Sequence, residues 1–401
     1  MKNKWGLFII LYITAFAVSA SQLKFVPLLG NLAASMNISL TQTSLLMSVF
    51  TIAGIILAIP GGALLAKLGP KKLLLLLIGS LIIGNFLGAF FYTNYPVFLI
   101  SRIIEGIAFS MIIMTGIVFL SKWFAGGNVG LAIGAFTTFP ATASAVCMNA
   151  AVPISTALGI SSLWLLVGAL SVVCFILVSV FIKEHKAGPA AEAAPEGAAT
   201  KMIEEKPSIA AAASNGKMWL LAICQGCGAF ILFTFITIYP TLFSGLYQLD
   251  VSTANFYAGL NGLFGIPFCI ITGILIDKTS KPALISFFGF IILVVACAIT
   301  AILGTPTYIL HTLMTAVGAG FVIAAILAAA PSIAKKPILI GYTVAFINLV
   351  YYIGVFVGAP ATLGAVESSG WQAGANVLTI VAVIGLAVSL IYMLTNRRKP
   401  A

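Results

Sequence analysis

Long apolar runs, broken by short polar connections, recur from one end of the chain to the other. A helix of about 20 apolar residues crosses a bilayer core. The runs mark about twelve such spans, at roughly 5–30, 43–66, 73–93, 96–120, 128–153, 160–182, 218–246, 253–276, 283–303, 306–331, 338–363 and 370–395. Between the sixth and seventh lies a stretch rich in Ala, Pro, Glu and Lys with no helical apolar period, which reads as a flexible linker over 184–217. The predicted domains are a six-span bundle over 1–183 and a second over 218–401. Landmarks repeat between them at an offset of about 210: Pro27 with Pro240, Gly62 with Gly273, Pro96 with Pro306, Ala135-Phe136 with Ala345-Phe346, and Trp164 with Trp371. The expected fold is an all-α membrane protein of two pseudo-symmetric bundles built by duplication.

Composition agrees: 61% of the 401 residues are hydrophobic and 7% charged, against about a quarter charged in soluble domains. The net charge of +11 does not indicate nucleic acid, because the basic residues gather in alternate connections: Lys2 and Lys4, Lys67 to Lys72, Lys122, the linker, Lys278 and Lys281, Lys335 and Lys336, and Arg397 to Lys399. The intervening connections hold only Asp250 and Glu367. The positive-inside bias then puts both termini in the cytoplasm, in a plasma or inner membrane, with the basic surface toward lipid headgroups. The opening segment has the length of a first span rather than of a signal peptide's apolar region. Cys224 and Cys227 could form a redox or metal pair, but no second pair or nearby His accompanies them. They read as small packing residues, and no metal or other cofactor is expected.

Three full charges fall inside predicted spans: Lys24, Arg102 and Glu105. Each costs about 2.5–3.5 kcal/mol at a helix centre on insertion scales. Arg102 and Glu105, three apart, share a helix face and can pair. Lys24 has no acid on its own helix, so the three carry one surplus positive charge. Two readings stay open for Lys24: it meets an anion between the bundles, or it snorkels to the interface. Arg102 either completes a structural pair with Glu105 or touches substrate, and Glu105 could carry a proton. Asn348, Tyr351 and Tyr352 share one face of span 11, and Tyr257 and Asn261 one face of span 8. Thr237 stands where the duplication would place Lys24, and His311 near the repeat of Arg102. His311 is either a packing residue or a donor to an anion.

"GGALLAKLGPKK" after span 2 resembles the signature loop of the major facilitator superfamily, with Gly62, Leu64, Gly69, Lys71 and Lys72 in the pattern and Ala66 in the acidic place. Its repeat in "TGILIDKTSKP" keeps Asp277 and Lys278, with Ser280 in place of glycine. The resemblance implies that Gly62, Gly69, Lys71, Lys72, Asp277 and Lys278 form a cytoplasmic gate. "SRIIEGIAFS" is similar to the family's Arg-x-x-Gln-Gly, through Arg102, Glu105 and Gly106. "SKWFAGGNVGLAIGAF" resembles the connection between spans 4 and 5 in organic-anion branches such as oxalate–formate antiporters and cyanate permeases, through Trp123, Phe124, Gly130, Leu131, Ala132 and Gly134.

The function this implies is secondary transport by alternating access, with a midplane site between the bundles. The surplus positive charge indicates a small monoanion of monocarboxylate type, moved by anion exchange or with a proton. Lys24, Arg102, Thr237, Asn261, His311, Asn348, Tyr351 and Tyr352 are the candidate substrate residues, and Glu105 with Arg102 the coupling pair. Neither a nucleotide-binding loop nor a metal or nucleophile motif is found, so neither an ATP-driven pump nor an enzyme is expected. The alternative is efflux of a neutral or apolar compound. The partners expected are the solute, a proton or counter-anion and lipid, and the chain is expected to be a monomer.

Overall fold

The computed structural model of the chain describes residues 4–124, 132, 135–183, 209–279, 281–334 and 339–396. Twelve of its helices are long and apolar enough to cross a membrane. In the first half these are span 1 (Lys4–Met36), span 2 (Leu40–Leu57), span 3 (Pro70–Phe91), span 4 (Tyr95–Leu120), span 5 (Phe139–Leu158) and span 6 (Ser162–Phe181). In the second they are span 7 (Gly216–Leu246), span 8 (Val251–Ile276), span 9 (Pro282–Ile299), span 10 (Tyr308–Ala330), span 11 (Ile340–Ser369) and span 12 (Trp371–Thr395). The predicted linker falls almost wholly on residues 184–208, outside the described residues, as do Gly130, Leu131 and Gly134 and the basic residues Lys2, Lys335, Lys336 and Arg397 to Lys399.

Helix packing repeats between the halves. Span 3 packs on 4 and 6 as span 9 packs on 10 and 12, and span 1 packs on 5 as span 7 packs on 11. Where the bundles meet, span 2 lies along span 11 and span 5 along span 8, a pair of contacts that a pseudo-twofold exchanges. With no hydrophobic drive between helices in lipid, such contacts depend on close approach. At Gly354 an added Cβ would come within 2.2 Å of the Gly226 carbonyl oxygen, so spans 7 and 11 touch backbone to backbone.

The helices are interrupted where the sequence requires it. Pro27 has no N–H to donate. Span 1 therefore stops as an α-helix at Leu23, passes through a 3-10 turn at Val26–Leu28 and resumes at Leu29–Met36. It runs beyond the predicted limit of 30. Span 2 tightens into a 3-10 turn at Val49–Thr51 midway, and span 7 ends in a π turn at Leu242–Leu246 just after Pro240. With an even number of spans, Lys4 and Asn396 lie on one face of the protein, here the terminal face. The connection from span 1 to span 2 lies on the opposite, far face.

Candidate functional site

Lys24 falls in the break of span 1, and the break creates its surroundings. Lys24 N still donates to Ala20 O at 2.9 Å, but the ladder lost from residue 25 onward leaves the carbonyls of Ser21 and Gln22 without their helical partners, and a buried carbonyl must be paired. Arg102 of span 4 supplies the donors: Nη1 donates to Ser21 O at 2.7 Å and Nη2 to Gln22 O at 3.3 Å, while Nε donates to Leu46 O beside the turn in span 2 at 3.0 Å. The guanidinium is sandwiched between Phe25 and Phe50, 4.7 Å from each ring centre, a favourable cation–π arrangement. Span 2 can come this close because residue 106 is glycine: a Cβ there would lie 1.8 Å from the Phe50 carbonyl oxygen.

Glu105, one turn along from Arg102, accepts from Arg102 Nη1 and from Lys24 Nζ, the latter at 3.2 and 3.1 Å to its two oxygens. Lys24 also donates to Asn85 Oδ1 of span 3 at 2.5 Å and lies 4.8 Å from the centre of the Trp164 ring of span 6. Asn85 is fixed in turn by Nδ2 donating to Ser21 Oγ and Leu81 O at 2.7 and 2.8 Å. Lys24, Arg102, Glu105 and Asn85 are all buried. The ammonium thus neither snorkels nor stands alone in a cleft: it points into the first bundle, toward spans 3, 4 and 6. Its acidic partner lies 81 residues away in sequence. The cluster still holds two cations against one acid.

The corresponding place in the second bundle is polar but uncharged. His311 Nε2 lies 2.9 Å from Ala296 O, which can only accept, so the proton is on Nε2 and Nδ1 accepts from the Tyr239 hydroxyl at 3.0 Å. Tyr239 also bonds Thr315 Oγ1 at 2.7 Å, and Asn261 Nδ2 donates to that same oxygen at 2.8 Å. Thr315 occupies the repeat position of Glu105. Both nitrogens of His311 are used inside its own bundle, and Asn261 belongs to the same network. Thr237 donates only to Phe233 O on its own helix, at 2.8 Å. Five of the predicted site residues therefore fall into two separate knots, Lys24 with Arg102 and Glu105 in one and His311 with Asn261 in the other.

Span 11 supplies one of the contacts between the bundles. The Tyr352 hydroxyl donates to Ser110 O of span 4 at 3.2 Å, and its ring packs against Gly54 and 6.3 Å from Phe109. Tyr351 stands edge-on to Phe233, with ring centres 6.0 Å apart. Asn348 is half-buried, and its side chain makes no hydrogen bond among the described residues.

At the far face Glu367, at the end of span 11, accepts from the Thr41 amide at 3.1 Å and its hydroxyl at 2.5 Å. An acid of one bundle thus caps the first turn of span 2 in the other, where the helix dipole favours negative charge. Glu367→Ala removes a cap worth about 1 kcal/mol, roughly a fivefold shift in population. Spin labels at Ala34 and Gln372 are expected to report a larger far-face-open fraction by electron–electron resonance, and an unchanged distance distribution would show that the cap does not hold the bundles.

On the terminal face Gly69 adopts φ +77°, a conformation that favours glycine, and turns the chain into span 3. Lys71 donates to Ser179 O of span 6 at 3.0 Å, within its own bundle. Gly62 and Lys278 are exposed, and the side chain of Asp277 lies outside the described residues. Cys224 and Cys227 are free thiols, Cys224 lying against Gly385 O of span 12.

Sequence reading did not single out Asn85, Tyr239, Thr315 or the Glu367 cap. Asn85 was the most accessible of these, a lone amide in an otherwise apolar span, since a buried amide in lipid demands partners.

Twelve membrane helices in two pseudo-symmetric bundles, meeting through exchangeable contacts and carrying buried polar clusters at repeat-related positions, have the architecture of a secondary transporter. The family model of the Major Facilitator Superfamily matches residues 7–359, and the chain belongs to that family. A relative, the uncharacterized MFS-type transporter YbcL of Bacillus subtilis (strain 168), is 28% identical over 133 residues, covering 33% of this chain and 34% of that protein. The match thus spans about a third of the relative's length. Among solved structures, a bacterial homolog of the human lysosomal transporter Spinster, in an inward-facing and occupied conformation, aligns over 100% of both chains with a TM-score of 0.73 and 12% identity. That likeness concerns the fold.

Proposed function

We propose that this transporter moves a small monoanion, of monocarboxylate type, across the cytoplasmic membrane, with both termini in the cytoplasm. One observation carries the reading: the buried cluster of the first bundle holds Lys24 and Arg102 against a single acid, Glu105, while its counterpart in the second bundle is uncharged. A buried net charge is costly, and a solute of opposite sign nearby offsets that cost. The two cations take different parts. Arg102 is tied to three backbone carbonyls and Glu105 and positions the broken ends of spans 1 and 2. Lys24 is held by side chains alone, so it is the cation that can turn toward a solute while Arg102 keeps Glu105 neutralised. Asn348, Tyr351 and Tyr352 provide the second bundle's share of the binding surface. Flux is driven by a counter-anion or by a proton carried on Glu105.

Counterflow tests this in proteoliposomes of the purified full chain. Internal lactate or formate is expected to accelerate entry of labelled external monocarboxylate, and an imposed pH gradient without internal anion separates proton coupling from exchange. A panel of monocarboxylates that gives no counterflow, in vesicles where the folded protein is present, would remove the anion assignment.

A second reading, export of a neutral or apolar compound, is favoured by the aromatic surface at the bundle contact. Phe109, Tyr351, Tyr352 and Phe233 meet there with no charged side chain among them. Energised efflux of an uncharged dye, undiminished by Lys24 substitution, distinguishes it.

A further inference from the structure

The second contact between the bundles, span 5 on span 8, is tight at mid-membrane and opens toward the far face. At Gly262 an added Cβ would lie 2.7 Å from Ala141 O and 2.8 Å from the Ser144 side chain. Further along, the same helices part around a crevice of about 310 Å³, lined by Met148, Asn149, Val152 and Thr156 of span 5 and Ser252 and Asn255 of span 8. Asn255 is 3% exposed, yet neither its Nδ2 nor its Oδ1 has a hydrogen-bond partner. An amide buried with both ends unpaired is costly to keep. It makes sense where something that both donates and accepts completes it.

The lining indicates what that is. It contains no Lys, Arg, Asp or Glu, which disfavours a charged group. Asp250 stands two residues before Ser252, and hydrogen bonds from the Thr253 hydroxyl and amide hold its carboxyl below the usual range. It therefore remains an anion just ahead of span 8, on the side where the crevice opens, and disfavours a phosphate there. Beside the crevice the two helices turn apolar side chains outward, with Leu158 67% and Phe256 50% exposed, as expected of surface that meets lipid. As the ends of spans long enough to cross a bilayer, the far ends of spans 5 and 8 are expected at headgroup depth, where hydroxyls and acyl chains meet. The volume is at the lower end for ligand cavities, about 300–1,000 Å³, enough for a small headgroup and the first part of one chain.

We infer that the crevice between spans 5 and 8 binds an uncharged, hydroxyl-bearing single-chain lipid of the monoacylglycerol class. A headgroup hydroxyl donates to Asn255 Oδ1 and another accepts from Nδ2, Thr156 and Ser252 offer further oxygens, and the acyl chain lies along Met148 and Val152. Because one wall belongs to each bundle, the occupied crevice ties spans 5 and 8 together at the far face. The site is separate from the Lys24 cluster and does not depend on the transported solute being an anion.

The test is native mass spectrometry of the purified full chain with 1-monooleoylglycerol, against oleoyl-lysophosphatidylglycerol and glycerol. Monooleoylglycerol is expected to bind best. Asn255→Leu, nearly the same shape without the amide, should weaken it by about tenfold, the loss of two neutral hydrogen bonds, with an unchanged or higher Tm. Equal affinity in wild type and Asn255→Leu overturns the inference, and so does a lowered Tm without loss of binding. Tighter binding of the lysophosphatidylglycerol overturns the neutral class, and glycerol binding as well as the lipid overturns the lipid source. Should Asn255→Leu fail to fold, Thr156→Val with Ser252→Ala must reproduce the loss; unchanged affinity there overturns it equally.

Discussion

Glu105→Ala is expected to be the most destabilising single change in the first bundle, by about 3–5 kcal/mol, the usual cost of removing one partner from a buried ion pair. The size follows from its position. Glu105 is the sole acid between Lys24 and Arg102, so its removal leaves two cations facing each other in a fully buried site. Arg102 cannot withdraw, because its remaining donors hold the carbonyls of Ser21, Gln22 and Leu46. The strain therefore passes to the breaks in spans 1 and 2. A thermal melt in detergent should show a large fall in Tm, with Glu105→Gln intermediate, since the amide oxygen still accepts but carries no charge. A Tm close to wild type in Glu105→Ala would mean that one of the cations is already neutral, and the surplus charge would disappear with it.

The architecture was legible because lipid imposes it. Backbone groups in a bilayer must be satisfied within the helix, so apolar run length marks the spans directly, and the repeated prolines and aromatics point to the pseudo-symmetry seen in the helix packing. The boundary of span 1 was less legible. Pro27 announces a break, but the resumption at Leu29–Met36 depends on packing that the local pattern does not contain. The site was readable as a composition and not as a geometry. Lys24, Arg102 and Glu105 could be named as buried charges needing a reason, and Arg102 could be paired with Glu105 because a helix fixes residues three apart. Lys24's acid comes from another helix, at a separation that no periodicity encodes. Arg102's bonds to three carbonyls follow from where two helices fail, which is a tertiary fact. His311 shows the same limit: its repeat position was visible, but its tautomer depends on Ala296 O and Tyr239.

The contrast between the knots has a mechanical consequence. Each bundle has a polar centre at an equivalent position, and such centres stiffen a bundle when every group is satisfied. The neutral knot around His311 closes on itself within the second bundle. The charged knot also closes, but with one cation more than it has acids. On the proposed anion reading, that imbalance makes the first bundle the one whose internal arrangement would respond to the solute, with the contacts of spans 2 with 11 and 5 with 8 as the places where the second bundle would feel it.

Lys24→Met separates this role from a structural one, because its expected effects on stability and on transport differ. Removing the ammonium leaves Arg102 and Glu105 as a balanced pair, so the net buried charge falls to zero. The cost is the two contacts to Glu105, which keeps its bond from Arg102, the donor to Asn85 Oδ1 and the contact with Trp164, about 1–3 kcal/mol for a polar group left unpaired, offset by the desolvation no longer required of the cation. Tm should therefore remain near wild type, in contrast to Glu105→Ala. Monocarboxylate counterflow, on the other hand, should fall by at least about tenfold, the effect of losing some 1.4 kcal/mol of attraction between solute and cation. Lys24→Arg is not expected to rescue it, since a planar guanidinium does not fit the place of an ammonium held between Asn85, Glu105 and the Trp164 ring. Folded Lys24→Met protein with undiminished counterflow would make the lysine a packing residue and leave the cluster as a clamp on two broken helices.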